Sequence, residues 1–325
     1  MTQPNSSFDE IASSTISKYS KTMRDNVSAN IPLYAFMKDA NAIIEEDGGV
    51  YLLENLDFGE NGTFTWFNGF EEVPITPSEN ATTANFDWKE CAGAAVFSAR
   101  QIAQNSGISK QHDLVKLKTK NLERTITNNV GAAMFYAGTE FSGKSFGGLQ
   151  YIIADDPTTG IVGGINRATT GNEFWRNQVF DEGVDSITLS ATTILDAMEL
   201  LYCRCSRGVD APKLWCYGST YWRFFAGAVN AQSRYIRESS VETAKTSFPY
   251  YVFKNGTKVF YDPNCGATHG YALNTEYLKL KVHKDRNMTP DKPRYPSNQR
   301  ATVIPIDMMA NMTCGYCAGQ GVMHA

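Results

Sequence analysis

The stretch from residue 48 to residue 107 constrains this chain most. It carries aromatic residues in alternation, Phe64 and Trp66, then Phe86 and Trp88, with no helical periodicity between them. Alternation at period two is the pattern of strands with one apolar face. A lone hairpin of two or three strands is marginal in water. The apolar face must therefore be covered by a distant part of the chain or by another copy of it. That requirement suits a protein that assembles better than it suits a self-contained enzyme.

Directly after this arm comes the strongest helix signal, residues 109–136. Leu114, Leu117, Leu122, Ile126, Val130 and Ala133 recur at spacings of three to five. At 1.5 Å per residue such a helix is about 40 Å long. Its other face is basic: Lys110, Lys116, Lys118, Lys120 and Arg124 outnumber Asp113 and Glu123. The ordinary meaning of such a run is a solvated stripe.

Elsewhere the pattern is mixed. Residues 8–24 are predicted to be helical, Pro32 interrupts that pattern, and Leu33, Tyr34, Phe36 and Met37 form a short apolar cluster. Within the arm, strands are expected at 50–53, 63–67 and 84–102, with a loop at 74–83. Further strands are expected at 149–154, 214–217, 252–261, 277–283 and 301–307. Helices are expected at 191–205, with Ser190 as N-cap, and at 219–234; residues 288–299 contain three prolines and read as a loop. An arm of strands, a long helix, a mixed region and closing strands make an α+β protein.

The chain has 325 residues, 42% of them hydrophobic and 20% charged, which is enough for a large core and more than one domain. The net charge is −4, so no bulk positive field draws in nucleic acid. The first ten residues lack the basic and apolar regions of a signal peptide, and no run of 18 apolar residues predicts a membrane span. The seven cysteines are irregularly spaced and are expected to be reduced thiols, several of them buried.

Two motifs suggest chemistry. Residues 138–145 match the phosphate-binding loop, with Gly138, Gly143, Lys144 and Ser145 in place. That loop works between a buried strand and a helix N-terminus. Here a long helix precedes it, and Asp155 and Asp156 follow too closely for an intervening helix. A nucleotide-binding enzyme through Gly138–Ser145 is therefore the rival reading, and a decoy loop the preferred one. Cys314-Gly-Tyr-Cys317 is a C-x-x-C pair. Zinc would need a second pair, and Cys203 and Cys205 are too close together to supply it. His112, His269, His283 and His324 are scattered, and no catalytic residue, cofactor site or metal ligand is assigned.

Taken in order along the chain, a set of segments resembles the major capsid proteins of tailed bacteriophages with the HK97-type fold. They are Phe64-Thr-Trp-Phe, Gln104-Asn-Ser-Gly107, Gly147-Gly-Leu-Gln150, Asp155-Asp-Pro-Thr-Thr, Val162-Gly-Gly-Ile-Asn-Arg-Ala-Thr-Thr, Phe174-Trp-Arg-Asn-Gln178 and Leu273-Asn-Thr-Glu-Tyr-Leu-Lys-Leu280. The resemblance implies an N-terminal arm (1–45), an extended β-hairpin E-loop (46–107), and a peripheral domain with a spine helix (108–150). A mixed α/β axial domain (151–272) and a return to the peripheral domain (273–325) complete it. It implies a shell subunit that forms hexamers and pentamers around double-stranded DNA, with no enzymatic activity, no cofactor and no membrane. Phe64, Trp66, Phe67 and Phe70 would contact a neighbouring subunit. The implied partners are other copies of the chain, a separate scaffolding protein (only 45 residues precede the E-loop), a portal protein and weakly held DNA. The implied location is the virion, after synthesis in a bacterial cytoplasm. Another structural virion protein is the closest alternative.

Overall fold

The computed structural model describes residues 30–72, 75, 79–104, 108–232 and 249–325; side chains are described for all of these except 102–104, 108–116 and 230–232. The helix expected at 8–24 lies outside the described residues.

The chain enters through α1 (Pro32–Asp39). Pro32 starts this helix, where a proline is tolerated because it lacks an N–H that would be unpaired anyway. The free Leu33 N–H is taken by the buried Asp262 carboxylate at 3.1 Å. Phe36 stacks on Phe260 with ring centroids 4.2 Å apart, which fixes α1 against the sheet below. Strands β1 (Ile43–Glu46), β2 (Tyr51–Asp57), β3 (Ala81–Asp87) and β4 (Lys89–Ser98) follow, then α2 (Ala99–Gln104) and the long α3 (Ile108–Ala133). The strand expected at 84–102 is thus two strands broken at Trp88 and closed by a helix. The strand expected at 63–67 is absent, since only Thr63 lies in a turn and 64–67 are irregular backbone with no ladder partner among the described residues.

After α3 come a small hairpin, β5 (Ile161–Val162) and β6 (Ile165–Asn166), then β7 (Gln178–Asp181) and α4 (Ile194–Cys205). Then β8 (Leu214–Tyr217), α5 (Ser219–Gln232), β9 (Tyr250–Val252), β10 (Lys258–Tyr261) and β11 (His269–Leu273) build the second half. The chain closes with β12 (Leu278–Pro290), β13 (Ala301–Cys314) and β14 (Gly321–His324). The strand expected at 149–154 is a single helical turn, Leu149–Ile152, at the end of α3. Gly148 permits it: a Cβ there would lie 2.6 Å from the Ala133 and Met134 carbonyl oxygens. Ser190 does not cap α4 directly; its hydroxyl lies 3.0 Å from that of Thr193, the residue at the cap.

Two sheets organise the molecule. One has the order β1-β12-β13-β4, with β1 parallel to β12 and the other pairs antiparallel. The other has the order β7-β14-β11-β8-β10-β9. In its centre, β8 is buried on both faces: Leu214 and Cys216 join one apolar core, Trp215 and Tyr217 the other. A strand covered on both sides reads as a continuous apolar run, which is what Leu-Trp-Cys-Tyr is. Helices α4 and α5 cover one face, and the larger core, shared with the four-stranded sheet, covers the other. The last strand, β14, joins the six-stranded sheet between β7 and β11, so residues 273–325 contribute to both sheets.

Candidate assembly interface

The arm divides at Asp57. Its base is the β2–β3 hairpin, registered with Leu52 opposite Phe86 and Leu56 opposite Thr82. Leu52, Leu56, Ala84 and Phe86 are buried in the main core. The cover comes from far along the chain. Asn85 N–H donates to the Gly163 carbonyl at 2.8 Å, and Phe58 stacks on Phe174 with centroids 4.6 Å apart. Gly163, at φ +58°, sits so close under the hairpin that a Cβ would lie 2.9 Å from Ala84 and 3.1 Å from Phe86. Polar anchors add to this. Lys281, largely buried, bridges Glu54 at 2.9 Å and Glu46 at 3.4 Å, and the Thr313 hydroxyl donates to Glu54 at 2.8 Å.

The tip is different. Between Phe58 and Asn80 the described residues form turns held by local bonds: the Asn61 side chain accepts from the Thr63 N–H and hydroxyl, and Glu71 accepts from the Asn68 N–H. Phe64, Trp66, Phe67 and Phe70 lie here, 76%, 89%, 63% and 106% exposed. Phe64 and Trp66 meet edge-on at 5.7 Å and otherwise face solvent. The structure thus brings the four expected contact residues onto one loop but leaves them uncovered. Soluble monomers seldom expose contiguous apolar patches of this kind, and those that do mark interaction sites.

A second apolar strip escaped sequence reasoning. Tyr51 and Leu53 are exposed on the outer side of β2 while Leu52 and Leu56 point inward, and Val50, just before the strand, is exposed as well. The signal was present, since Val-Tyr-Leu-Leu is apolar at successive positions and marks a strand with two apolar faces.

The long helix α3 turns most of its expected apolar face inward, with Leu117 the exception among the described side chains. Leu122 and Ile126 pack near Gly93 of β4, and Val130 is buried, but Leu117 is 68% exposed. The inward positions also include Thr119, Glu123 and Thr127. Of the basic stripe, Lys118 is not a free charge: its ammonium donates to the Val96 carbonyl and the Gln101 side chain and lies 5.1 Å from the Phe97 ring centre. Lys120 and Arg124 are exposed, while the side chains of Lys110, His112, Asp113, Leu114 and Lys116 lie outside those described.

The phosphate-loop match does not have phosphate-loop geometry. It lies between α3 and the turn at Leu149, with no strand before it. Its groups are already engaged: Glu140 accepts from the Ala137 N–H and the Ser145 hydroxyl, Gly143 N–H donates to Thr139, and Lys89 donates to the Gly143 carbonyl at 2.7 Å. Burial opposes ionisation of Glu140, but hydrogen bonds from backbone N–H groups at 137–140 and from the Ser145 hydroxyl outweigh it and hold the carboxyl below its ordinary value. A carboxylate lodged in the loop repels the anion it would have to bind. Between α3, β4 and β13 the loop borders a cleft of about 340 Å³ lined mainly by apolar side chains, among them Leu122, Ile126 and Met308.

Of the four histidines, His269 bonds Asp155 at 3.0 Å and stacks on His324. Among the described residues no group of three or more His, Cys, Asp or Glu side chains could hold a metal, and no helix is long and apolar enough to cross a membrane.

No family model matches the chain, and no curated protein matches it in sequence. Solved structures do match in fold. A subunit of the cyanophage A-1(L) capsid superposes with a TM-score of 0.63 at 11% identity, covering 91% of this chain and 92% of that one. The capsid of a native GTA particle superposes at 0.56 with 11% identity, covering 92% and 90%. An encapsulin complex from Synechococcus elongatus superposes at 0.53 with 6% identity, covering 87% and 83%. The fold is therefore the α+β, HK97-type fold of tailed-phage major capsid proteins.

Proposed function

We propose that this chain is the major capsid protein of a tailed phage, assembling into the hexamers and pentamers of an icosahedral shell around double-stranded DNA. The observation that carries this reading is the arm: its base is buried by its own chain, while its aromatic tip stays uncovered. On a fold shared with capsid subunits, a neighbouring copy is the natural cover, with Phe64, Trp66, Phe67 and Phe70 as the contact. A scaffolding protein, a portal protein and packaged DNA would be further partners, and the virion the final location after synthesis in the host cytoplasm. Among the described side chains of the α3 basic stripe, Lys120 and Arg124 are open to DNA phosphates, whose contacts would be non-specific and weakened by salt. The likeness extends to an encapsulin, so the enclosed cargo is the point to test.

Electron microscopy of particles formed by the expressed protein, with analysis of their contents, tests the reading. Closed icosahedral shells containing nuclease-protected DNA when packaging components are present are expected. Helical tubes, or soluble oligomers of low order, would point to another virion protein. Shells that retain a protein cargo and exclude DNA would overturn the phage assignment while keeping the shell.

A further inference from the structure

Strand β4 is an edge of the four-stranded sheet, paired to β13 on one side and, among the described residues, to no strand on the other. It is ten residues long, whereas the other edge strands of the two large sheets, β1, β7 and β9, have four, four and three. The pairing of β13 fixes which backbone groups of β4 face outward. Val303 gives both its N–H and its carbonyl to Arg294, and the Pro305 carbonyl accepts from Asp291, so these residues point away from β4. In an antiparallel pair, the residues opposite such positions point away as well. Val96 lies opposite Val303 and Ala94 opposite Pro305, in a register without a shift from Lys89 to Ser98. The N–H and C=O groups of Glu90, Ala92, Ala94 and Val96 therefore project from the open edge. Two side-chain bonds agree: Lys118 donates to the Val96 carbonyl, and the Ser98 N–H, next in the series, donates to Gln101. Glu90, Ala92 and Ala94 have no outward backbone partner among the described residues.

An unprotected edge is a template for another strand, and proteins blunt it with charges, prolines or bulges. Residues 91–98, Cys-Ala-Gly-Ala-Ala-Val-Phe-Ser, carry none of these. Gly93 turns towards Leu122 and Ile126 of α3, while Ala92, Ala94 and Val96 lie exposed on the opposite face. We propose that this edge is a docking site for a second copy of the chain, whose tip segment 63–67 adds to β4 as a fifth strand. This docking presupposes that the tip meets a neighbouring copy, as proposed above, and names what receives it. The segment reads as a strand by its alternation, yet in its own subunit it has no ladder partner among the described residues. At about 3.3 Å per residue it spans about 17 Å, the span of Glu90 to Ala94. Opposite residues of paired strands share a face. Phe64 and Trp66 set against Ala92 and Ala94 would lay large rings over small side chains, covering surface that both leave exposed. Phe67 would fall on the other face, beside the apolar cleft that Cys91 and Gly93 help to line. Main-chain bonds then supply the affinity and the alternate side chains the specificity.

Proline separates the two sides of β4. At Ala94 it removes an outward N–H and spares the ladder to β13, because an edge strand accepts proline where the N–H faces away from the sheet. At Ala95 it removes a ladder bond. Ala94→Pro should therefore unfold at the parent's denaturant midpoint, and Ala95→Pro at a lower one. Amide hydrogen exchange, read by mass spectrometry on peptides spanning 62–68 and 89–97, follows the pairing. In parent shells the 62–68 peptide and the fast-exchanging half of 89–97 should exchange at least about tenfold more slowly than in the isolated subunit. In Ala94→Pro shells both should lose that slowing. Where this variant does not assemble alone, co-assembly with excess parent subunits keeps the readout. The variant's 89–97 peptide, distinct in mass, should exchange as in the isolated subunit while the parent's stays slow. Equal slowing of the two 89–97 peptides, slowing of 62–68 that survives in Ala94→Pro shells or is present in the isolated subunit, or free exchange of 62–68 in intact shells would overturn the pairing and keep the shell. A midpoint lowered as far as in Ala95→Pro would show that the Ala94 N–H is not free and would overturn it too. Failure of the parent chain to assemble at all would overturn the shell reading and the docking with it.

Discussion

The base and the tip of the arm are built from the same kinds of residue and have opposite fates. Leu52, Leu56 and Phe86 at the base are buried by residues about a hundred positions later in the chain; Phe64, Trp66, Phe67 and Phe70 at the tip are not. The base is fixed by a two-stranded ladder, a backbone bond to Gly163 and the Lys281–Glu54 pair. Among the described residues, the side-chain bonds of the tip are local. The difference separates two tasks. One set of apolar side chains stabilises the subunit, and the other is available to stabilise contacts between subunits.

The largest expected effect is at the base. Phe86→Ala removes a ring from a fully enclosed site and should destabilise the subunit by about 3–5 kcal/mol. Chemical denaturation should show the lower midpoint, and assembly should fail because the fold fails. A midpoint equal to that of the parent protein would mean that the base is not part of the core. At the tip the expectation reverses. Trp66→Ala should leave the subunit's own unfolding within about 0.5 kcal/mol, as for most surface changes. It should weaken each inter-subunit contact by about 1.5–3 kcal/mol, the value of one large apolar side chain. Shells that form and melt like the parent's, with subunit stability also unchanged, would remove the tip from the interface.

A third test sharpens the line between the two regions. Lys281→Met keeps most of the side-chain volume but leaves Glu54 and Glu46 facing each other without a cation. Both carboxylates are partly solvated, so the cost should be modest, about 1–2 kcal/mol of subunit stability. Assembly of the surviving folded subunit should be normal. A variant that folds as stably as the parent but does not assemble would show that this pair positions the arm and does not stabilise the base.

These two regions also show how far the sequence could be read. The arm, the long helix and the α+β class were legible because each rests on local periodicity. Which apolar face needed an outside partner was not, because alternation predicts one apolar side and says nothing of what covers it. At Phe64 and Trp66 the alternation marks no strand within the subunit. In α3 the register held for Leu122, Ile126 and Val130 but not for Leu117, which is five residues from Leu122 and so about 140° away around the helix. The inward face adds Thr119, Glu123 and Thr127 to Leu122, Ile126 and Val130, so half of it is polar and carries no hydropathy signal. Strand β14 was missed because four residues pairing with partners at 178–181 and 269–272 have no local signature. The Cys314–Cys317 pair was visible, and both cysteines are buried.

The smallest expected effect concerns the exposed charges of α3. Replacing Lys120 and Arg124 with glutamine touches neither the base nor the tip. Subunit stability should stay within about 0.5 kcal/mol, and empty shells should form normally. Both side chains are exposed to solvent. If this face meets packaged DNA, each lost phosphate contact should reduce the salt sensitivity of DNA retention by about one counterion. DNA release from filled shells, followed across a salt series, reads that slope directly. An unchanged slope would return Lys120 and Arg124 to an ordinary solvated stripe. A loss of empty-shell assembly would instead place them in a contact between subunits, and the boundary between stabilising and assembling surfaces would then have to be drawn through α3 as well as through the arm.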